Sequence, residues 1–268
     1  MSVLACAVAL VVCGPPGGWA TAQERPLPDR EAFFRETQEN LEQARRTQFW
    51  FAYTERATEL RRNPFGRIGT GGTKSYAVWP ELDPPTIVRQ LIAEDGVPVE
   101  DGEIERIELE TRDDDEDEEP RRSGVEDTVA VLRFTIDRRE RVDGRDLIVV
   151  RFEPRPDEEP QTREGEWAKD FAGEIWIDEA AREVARVEAT TLDSISLGLG
   201  LIARLGKGAT VTLERGPVDG DVWMPSSVRF QGEGRAFLFL RRLDVDHVVE
   251  WSDYDHLTRE EVERTSAE

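Results

Sequence analysis

Beyond residue 13 the chain has no cysteine, because both of its cysteines, Cys6 and Cys13, lie near the start. The body of the protein therefore has no disulfide, no thiolate metal site and no cysteine nucleophile, and a packed core alone must hold it together. Histidine is almost as scarce, with His247 and His256 the full set. Positive charge is short as well: 35 Lys and Arg stand against 57 Asp and Glu, for a net charge of −22. That balance argues against nucleic acid and anionic membrane surfaces as partners, since both demand Lys/Arg patches. Lysine itself occurs only at 74, 169 and 207, so the cations are arginines.

Catalytic motifs are missing too. There is no G-x-S-x-G elbow, and Asp193-Ser194-Ile195-Ser196 has neither the glycines nor a nearby base. The glycines at 66, 69, 71 and 72 are not followed by Gly-Lys-Ser/Thr, so they read as a connection between strands rather than a phosphate loop. Among 57 acids a carboxylate pair suited to glycoside hydrolysis carries no information. His247 shares the apolar parity of its segment and reads as a core histidine. His256, in Asp253-Tyr254-Asp255-His256, has only mobile carboxylates for company and makes a poor metal site. No catalytic residue, metal or cofactor is expected.

What is present begins with an address. Residues 1–22, MSVLACAVALVVCGPPGGWATA, have no charged side chain and end in Ala20-Thr21-Ala22. An apolar run, a Pro/Gly break and small residues around one position form a secretory signal peptide, too short to span a bilayer. Cleavage is expected after Ala22. Lipoprotein processing at Cys13 is the rival, but it would place the bulky Val12 where a small residue belongs. A periplasmic or secreted protein follows, not an integral membrane one. An outer-membrane barrel is disfavoured because Arg133, Arg151, Arg186 and Arg229 would interrupt its lipid-facing band.

The remaining chain suits one large domain, 23–258, followed by a polar tail, 259–268. After a short Pro-containing linker, Asp29 can cap a helix reaching about Arg46, with Phe33, Thr37, Leu41 and Ala44 as its buried stripe. From Thr47 the period becomes two. Strand-like runs follow at 73–79, 86–93, 129–136, 147–152, 174–178, 184–192, 195–201, 210–215 and 222–230. A long final strand is expected over Arg235–Ser252, and Glu100–Arg112 is read as a short helix. Asp143-Gly144 and Asp219-Gly220 mark tight hairpins of type I′. The acidic run Asp113–Glu119 reads as a solvated loop held open by self-repulsion, with calcium binding as the sharper alternative.

Gly173-Glu174-Ile175-Trp176-Ile177-Asp178 followed by Val184–Glu188 resembles a hairpin of the bacterial outer-membrane lipoprotein-sorting-like (LolA-like) periplasmic proteins. Trp223-Met224-Pro225-Ser226, Gly232-Glu233-Gly234-Arg235 and Ser252-Asp253-Tyr254 are similar to that group as well. The resemblance spans about Asp29 to Leu257. It implies a mainly β (α+β) fold: a curved antiparallel half-barrel sheet with a leading helix and short helices covering its concave face. It also implies a non-enzymatic carrier whose concavity receives an acyl chain or lipoprotein, with an arginine on an early strand governing opening. Arg56 is the candidate for that role. Trp50, Trp79, Leu91, Trp176, Phe237 and Phe239 are the candidates to line the cavity, because large apolar residues occur on both strand parities. The alternative is an envelope protein–protein or stress-sensing module with a filled cavity; a hydrolase ranks last. A monomer is expected, with envelope proteins as further possible partners.

Overall fold

The computed structural model describes residues 25–62, 68–109, 122–197, 203–218, 220, 222–236 and 242–265. The leader, the acidic run, Phe237 and Phe239 lie outside the described residues.

The first helix, α1 (Arg30–Gln48), starts where the Asp29 carboxylate accepts from the Ala32 N–H at 3.0 Å. Phe33, Thr37 and Ala44 are its buried residues. Five strands follow: β1 (Phe51–Arg62), β2 (Ile68–Glu81), β3 (Thr86–Glu94), the short β4 (Val97–Pro98) and β5 (Ile104–Glu108). Then come α2 (Gly124–Val131), β6 (Leu132–Val142), β7 (Arg145–Pro154), α3 (Arg163–Ala168), β8 (Phe171–Asp178) and β9 (Val184–Thr191). The chain closes with β10 (Ile195–Leu197), β11 (Ala203–Leu205), β12 (Thr210–Pro217), β13 (Trp223–Ala236), β14 (Arg242–His256) and α4 (Arg259–Thr265).

All the strands join one curved, open antiparallel sheet, in the order β4-β3-β2-β1-β14-β13-β12-β9-β8-β7-β6. β5 lies beside β3, β11 beside β13, and β10 beside β11. The first long strand pairs with the last, so the two ends of the chain meet in mid-sheet. Two cores form where α1, α2 and α3 cover one face of β6–β9. Phe33 of α1 packs with Ile148, Val150, Ile177 and Val184. Val131 of α2 packs with Leu132, Phe152 and Ala189. On the other face Leu147, Val149 and Trp176 form a smaller cluster. β7 is thus buried on both sides, which is why Leu147–Val150 is a continuous apolar run instead of an alternation.

The architecture expected from sequence is the one observed, and four local readings need correction. Residues 129–131 are helical, not extended. Ser123 and Glu126 form a reciprocal capping box that nucleates α2, and β6 begins only at Leu132. Glu100–Arg112 contains a strand, β5, not a helix. The expected strand over Arg235–Ser252 is two strands: Arg235 pairs with Arg242, so the chain reverses between β13 and β14. The even alternation across that stretch hid the reversal. Finally, the polar tail starts with a helix, α4, which lies against β2 and fully buries Val262.

Both hairpins are present. Asp143 and Gly144 have φ of 49° and 81°, the two positive values a type I′ turn requires. At the second, Val218 N–H donates to the Val222 carbonyl at 2.9 Å and Gly220 has φ 65°, so the connection is longer than the two-residue turn expected.

Candidate functional site

Register decides which side chains share a face, because directly paired residues point the same way. One row runs Ile175–Val187–Leu213–Val228–Val249–Ala57 across β8, β9, β12, β13, β14 and β1. Ile175 and Val187 pack in the cores with α1 and α2, so the whole row lies on the helix-bearing face. A second row is Ala189–Val211–Phe230–His247–Glu59, and a third is Trp251–Glu55–Tyr76–Leu91.

The two halves of this face differ. On β6–β9 the helices seal Ile148, Val150, Phe152 and Ile177. On β13, β14, β1, β2 and β3 the large side chains Val228, Phe230, Val249, Trp251, Tyr76 and Leu91 are all only half-buried. At the far end, a cavity of about 700 Å³ is lined by Pro217, Met224, Pro225, Trp251, Tyr254 and His256, with Asp253 and Asp255 also on its wall. Asp253 sits in a bulge at φ 54°, where β14 carries an extra residue opposite Tyr53.

A polar cluster is set into this apolar surface. Arg89 Nη2 lies 2.6 Å and Nε 3.0 Å from Glu55 Oε1, and Nη1 reaches Glu105 Oε2 at 3.2 Å. The guanidinium carbon stands 3.3 Å from the Tyr76 ring centroid, and Trp251 Nε1 donates to Glu55 Oε2 at 3.2 Å. Burial opposes the charge on Arg89, but Glu55 outweighs it and the pKa is raised. Burial first, then Glu55, pushes the Tyr53 phenol up to about 12. Tyr254 is raised by burial and by Tyr53, and its hydroxyl donates to the Pro225 carbonyl. His247 is lowered by burial, against the pull of Glu59 and Glu55. At neutral pH Tyr53, Tyr254 and His247 are thus uncharged, and Arg89 is paired with Glu55.

The residues singled out from sequence fall on different surfaces. Leu91 lies on the helix-bearing face, opposite Tyr76. Trp50 links α1 to β1, its ring edge-on to Phe49 at 5.4 Å. Arg56 is exposed between Ser75 and Glu250, and Trp79 sits opposite the fully buried Val88; both belong to the other face. Trp176 is on that other face too, beneath Arg186 and bonded from Nε1 to Glu140 at 2.9 Å. Sequence reasoning missed Tyr53, Glu55, Tyr76, Arg89 and Tyr254 as a group. Tyr53 shares parity with Phe51, but the register that gathers the others spans four strands. His256 stacks on Phe51 at 4.8 Å, and among the described residues no group of His, Cys, Asp or Glu is placed to hold a metal. No helix among them is long and apolar enough to cross a membrane.

An open antiparallel sheet with helices on one half of a face and half-buried aromatics on the other half describes a curved half-barrel. In solved structures the chain is similar to an outer membrane lipoprotein-sorting protein domain from Vibrio parahaemolyticus, at 12% identity and a TM-score of 0.40, covering 85% of this chain and 96% of that one. It is also similar to a DUF1329 family protein from Desulfovibrio piger, at 12% identity and TM-score 0.39, covering 87% and 98%. A LolA superfamily protein from Nitrosomonas europaea gives 12% identity and TM-score 0.38, covering 83% and 93%. No family profile and no curated protein matches the sequence.

Proposed function

We propose that this chain is a non-enzymatic binding protein of the cell envelope, exported by residues 1–22, that holds an acyl chain or the acylated end of a lipoprotein. The ligand lies on the helix-bearing face, along Val228, Phe230, Val249, Trp251 and Leu91, and ends in the cavity beside Met224 and Tyr254. The observation that carries the reading is the asymmetry of that face: apolar rows continue past the helices and stay half-buried. Contiguous apolar side chains that stay partly exposed favour a bound apolar ligand. Each methylene buried there contributes about 0.8 kcal/mol, so eight give roughly 6 kcal/mol gross. Ordering the chain and losing translational freedom reduce this towards affinities between about micromolar and millimolar.

The test is titration of the full mature chain with a fluorescent fatty acid. Saturable binding is expected, weakened at least tenfold by Trp251→Glu and by Val228→Glu. Trp176→Gln, on the other face, should leave it unchanged. Two variants guard against a simple folding failure, and circular dichroism checks each. Absence of saturable binding, or equal losses from the Trp176 and Trp251 variants, would overturn the reading.

A further inference from the structure

Five of the ten large hydrophobic side chains that are well exposed among the described residues lie within residues 92–109: Ile92 at 37%, Val97 at 66%, Ile104 at 45%, Ile107 at 43% and Leu109 at 39%. They cluster on β4, β5 and the adjoining part of β3, at one margin of the sheet beside Leu91. Every residue of β5 is exposed. Among the described residues β5 pairs with β3 alone.

The backbone of β5 shows which groups are free for a further strand. Leu91 N–H donates to the Glu103 carbonyl at 2.9 Å, and Leu109 N–H donates to the Pro85 carbonyl at 2.8 Å. In an antiparallel pair, alternate residues turn both backbone groups to the same neighbour. Odd-numbered residues therefore bond to β3, while Ile104, Arg106 and Glu108 turn their N–H and C=O groups outward. Natural sheets blunt such an edge with lysine, proline or a covering element. Here it carries isoleucines instead.

The charge around it has one sign. Glu100, Asp101 and Glu108 have no ion pair among the described residues, and the cation nearest Glu103, Lys74, is already paired with Glu94 at 3.2 Å. The one cation on the strand, Arg106, is engaged 3.5 Å from Glu81. A second copy of this chain would set the same carboxylates against each other, which disfavours pairing of two such edges.

We propose that the β5 edge is a docking site for an extended, basic, β-branched segment of a partner protein, which adds to the sheet as one further strand. Backbone bonds to residues 104, 106 and 108 supply affinity, Ile104 and Ile107 give apolar contacts on the two faces, and Glu100, Asp101, Glu103 and Glu108 select lysine or arginine.

Fluorescence anisotropy with a labelled, end-capped octapeptide of alternating Lys and Val tests this on the full mature chain. Saturable binding is expected, weakening with added salt, and at least tenfold tighter than for the same peptide with Glu in place of Lys. Arg106→Pro removes one outward N–H without touching the bonds to β3, as proline does on an edge strand. It should weaken binding at least tenfold. Arg106→Ala, which loses the same side chain, should not weaken it. Hydrogen exchange at Leu91 and Leu109 confirms that β5 stays paired in the proline variant. Glu103→Gln with Glu108→Gln should weaken binding several-fold. Equal binding by the proline and alanine variants, equal binding of the acidic peptide, or a concentration-dependent dimer lost in Arg106→Pro would overturn the proposal.

Discussion

Trp251 and Glu55 face each other across the β14–β1 pair, and the indole Nε1 donates to the carboxylate at 3.2 Å. The bond joins the last long strand of the chain to the first. Glu55 in turn fixes Arg89, two strands away, and Arg89 lies on Tyr76. A single carboxylate thus holds together side chains of β14, β1, β2 and β3.

Removing that carboxylate should be worse than removing the whole pair. With Glu55→Ala, Arg89 keeps its burial and loses its main counter-ion, at a cost of about 2 kcal/mol, below the range for fully buried pairs because both side chains are partly wet. Arg89→Ala together with Glu55→Ala should cost less than the two single changes added. Urea midpoints of the four proteins measure the coupling. Strict additivity would show that Glu55 and Arg89 do not act as a unit.

Asp127 closes the corner between α2 and α3. It is fully buried and accepts from Gln161 N–H and Thr162 N–H at 2.8 Å each and from Thr162 Oγ1 at 3.0 Å. Burial raises its pKa, but these bonds and Arg122 outweigh burial and hold it below the usual carboxylate range. A carboxylate depressed on folding stabilises above its unfolded pKa of about 3.9, and that stability disappears as pH falls through the folded value. Asp127→Asn should destabilise by about 2 kcal/mol at neutral pH and flatten the acid limb of the stability curve. Unchanged acid unfolding in the variant would remove Asp127 from that role.

His247 should add a second slope at milder pH. Burial lowers its pKa on folding, against Glu59 and Glu55, and its Nδ1 is buried without a bond. The unfolded chain therefore takes up a proton near pH 6.5 while the folded chain does not, so stability is full above about 6.5 and falls below it. His247→Phe should narrow the difference in melting temperature between about pH 5 and 7.5. Tyr53 and Arg89, which share this face, have raised pKa values and keep their charge states across that range, so the slope belongs to the imidazole. An unaltered difference would assign it to other groups.

Export has its own readout. The uncharged apolar run ending in Ala20-Thr21-Ala22 predicts that the mature protein begins at Gln23. N-terminal sequencing from the envelope fraction should return Gln23. A lipidated Cys13 would place the chain on a membrane instead.

Much of the scaffold was legible in the sequence. Asp29 and the Phe33–Ala44 stripe mark α1, and Asp-Gly marks two hairpins, because each signal acts over a few residues. The site was much less legible. Alternation shows that Trp176 and Ile175 point opposite ways, but which of them meets a helix depends on where α1 lands. The cluster of Tyr53, Glu55, Tyr76, Arg89 and Trp251 is made by register, and register depends on bulges such as those at Tyr53 and between Ser75 and Tyr76. The reversal between β13 and β14 escaped notice for a related reason: no Asn-Gly or Asp-Gly pair marks it.

β5 was misread because its charge spacing suits a helix, and a glycine decides otherwise. Asp101 adopts φ 55°, and a Cβ on Gly102 would lie 1.8 Å from the Leu91 carbonyl oxygen, on the backbone of β3. Only glycine lets the two backbones approach closely enough for Glu103 to accept from Leu91. Gly102→Ala should therefore push β5 off β3, costing about 2 kcal/mol. Faster exchange should be confined to the Leu91 and Leu109 amides and their neighbours, with the β6–β9 core unaffected, because no part of that core touches the strand. It should also abolish binding of the basic peptide at the edge. Protection at Leu91 equal to that of the parent chain would show that β3 and β5 are held by something other than this close approach.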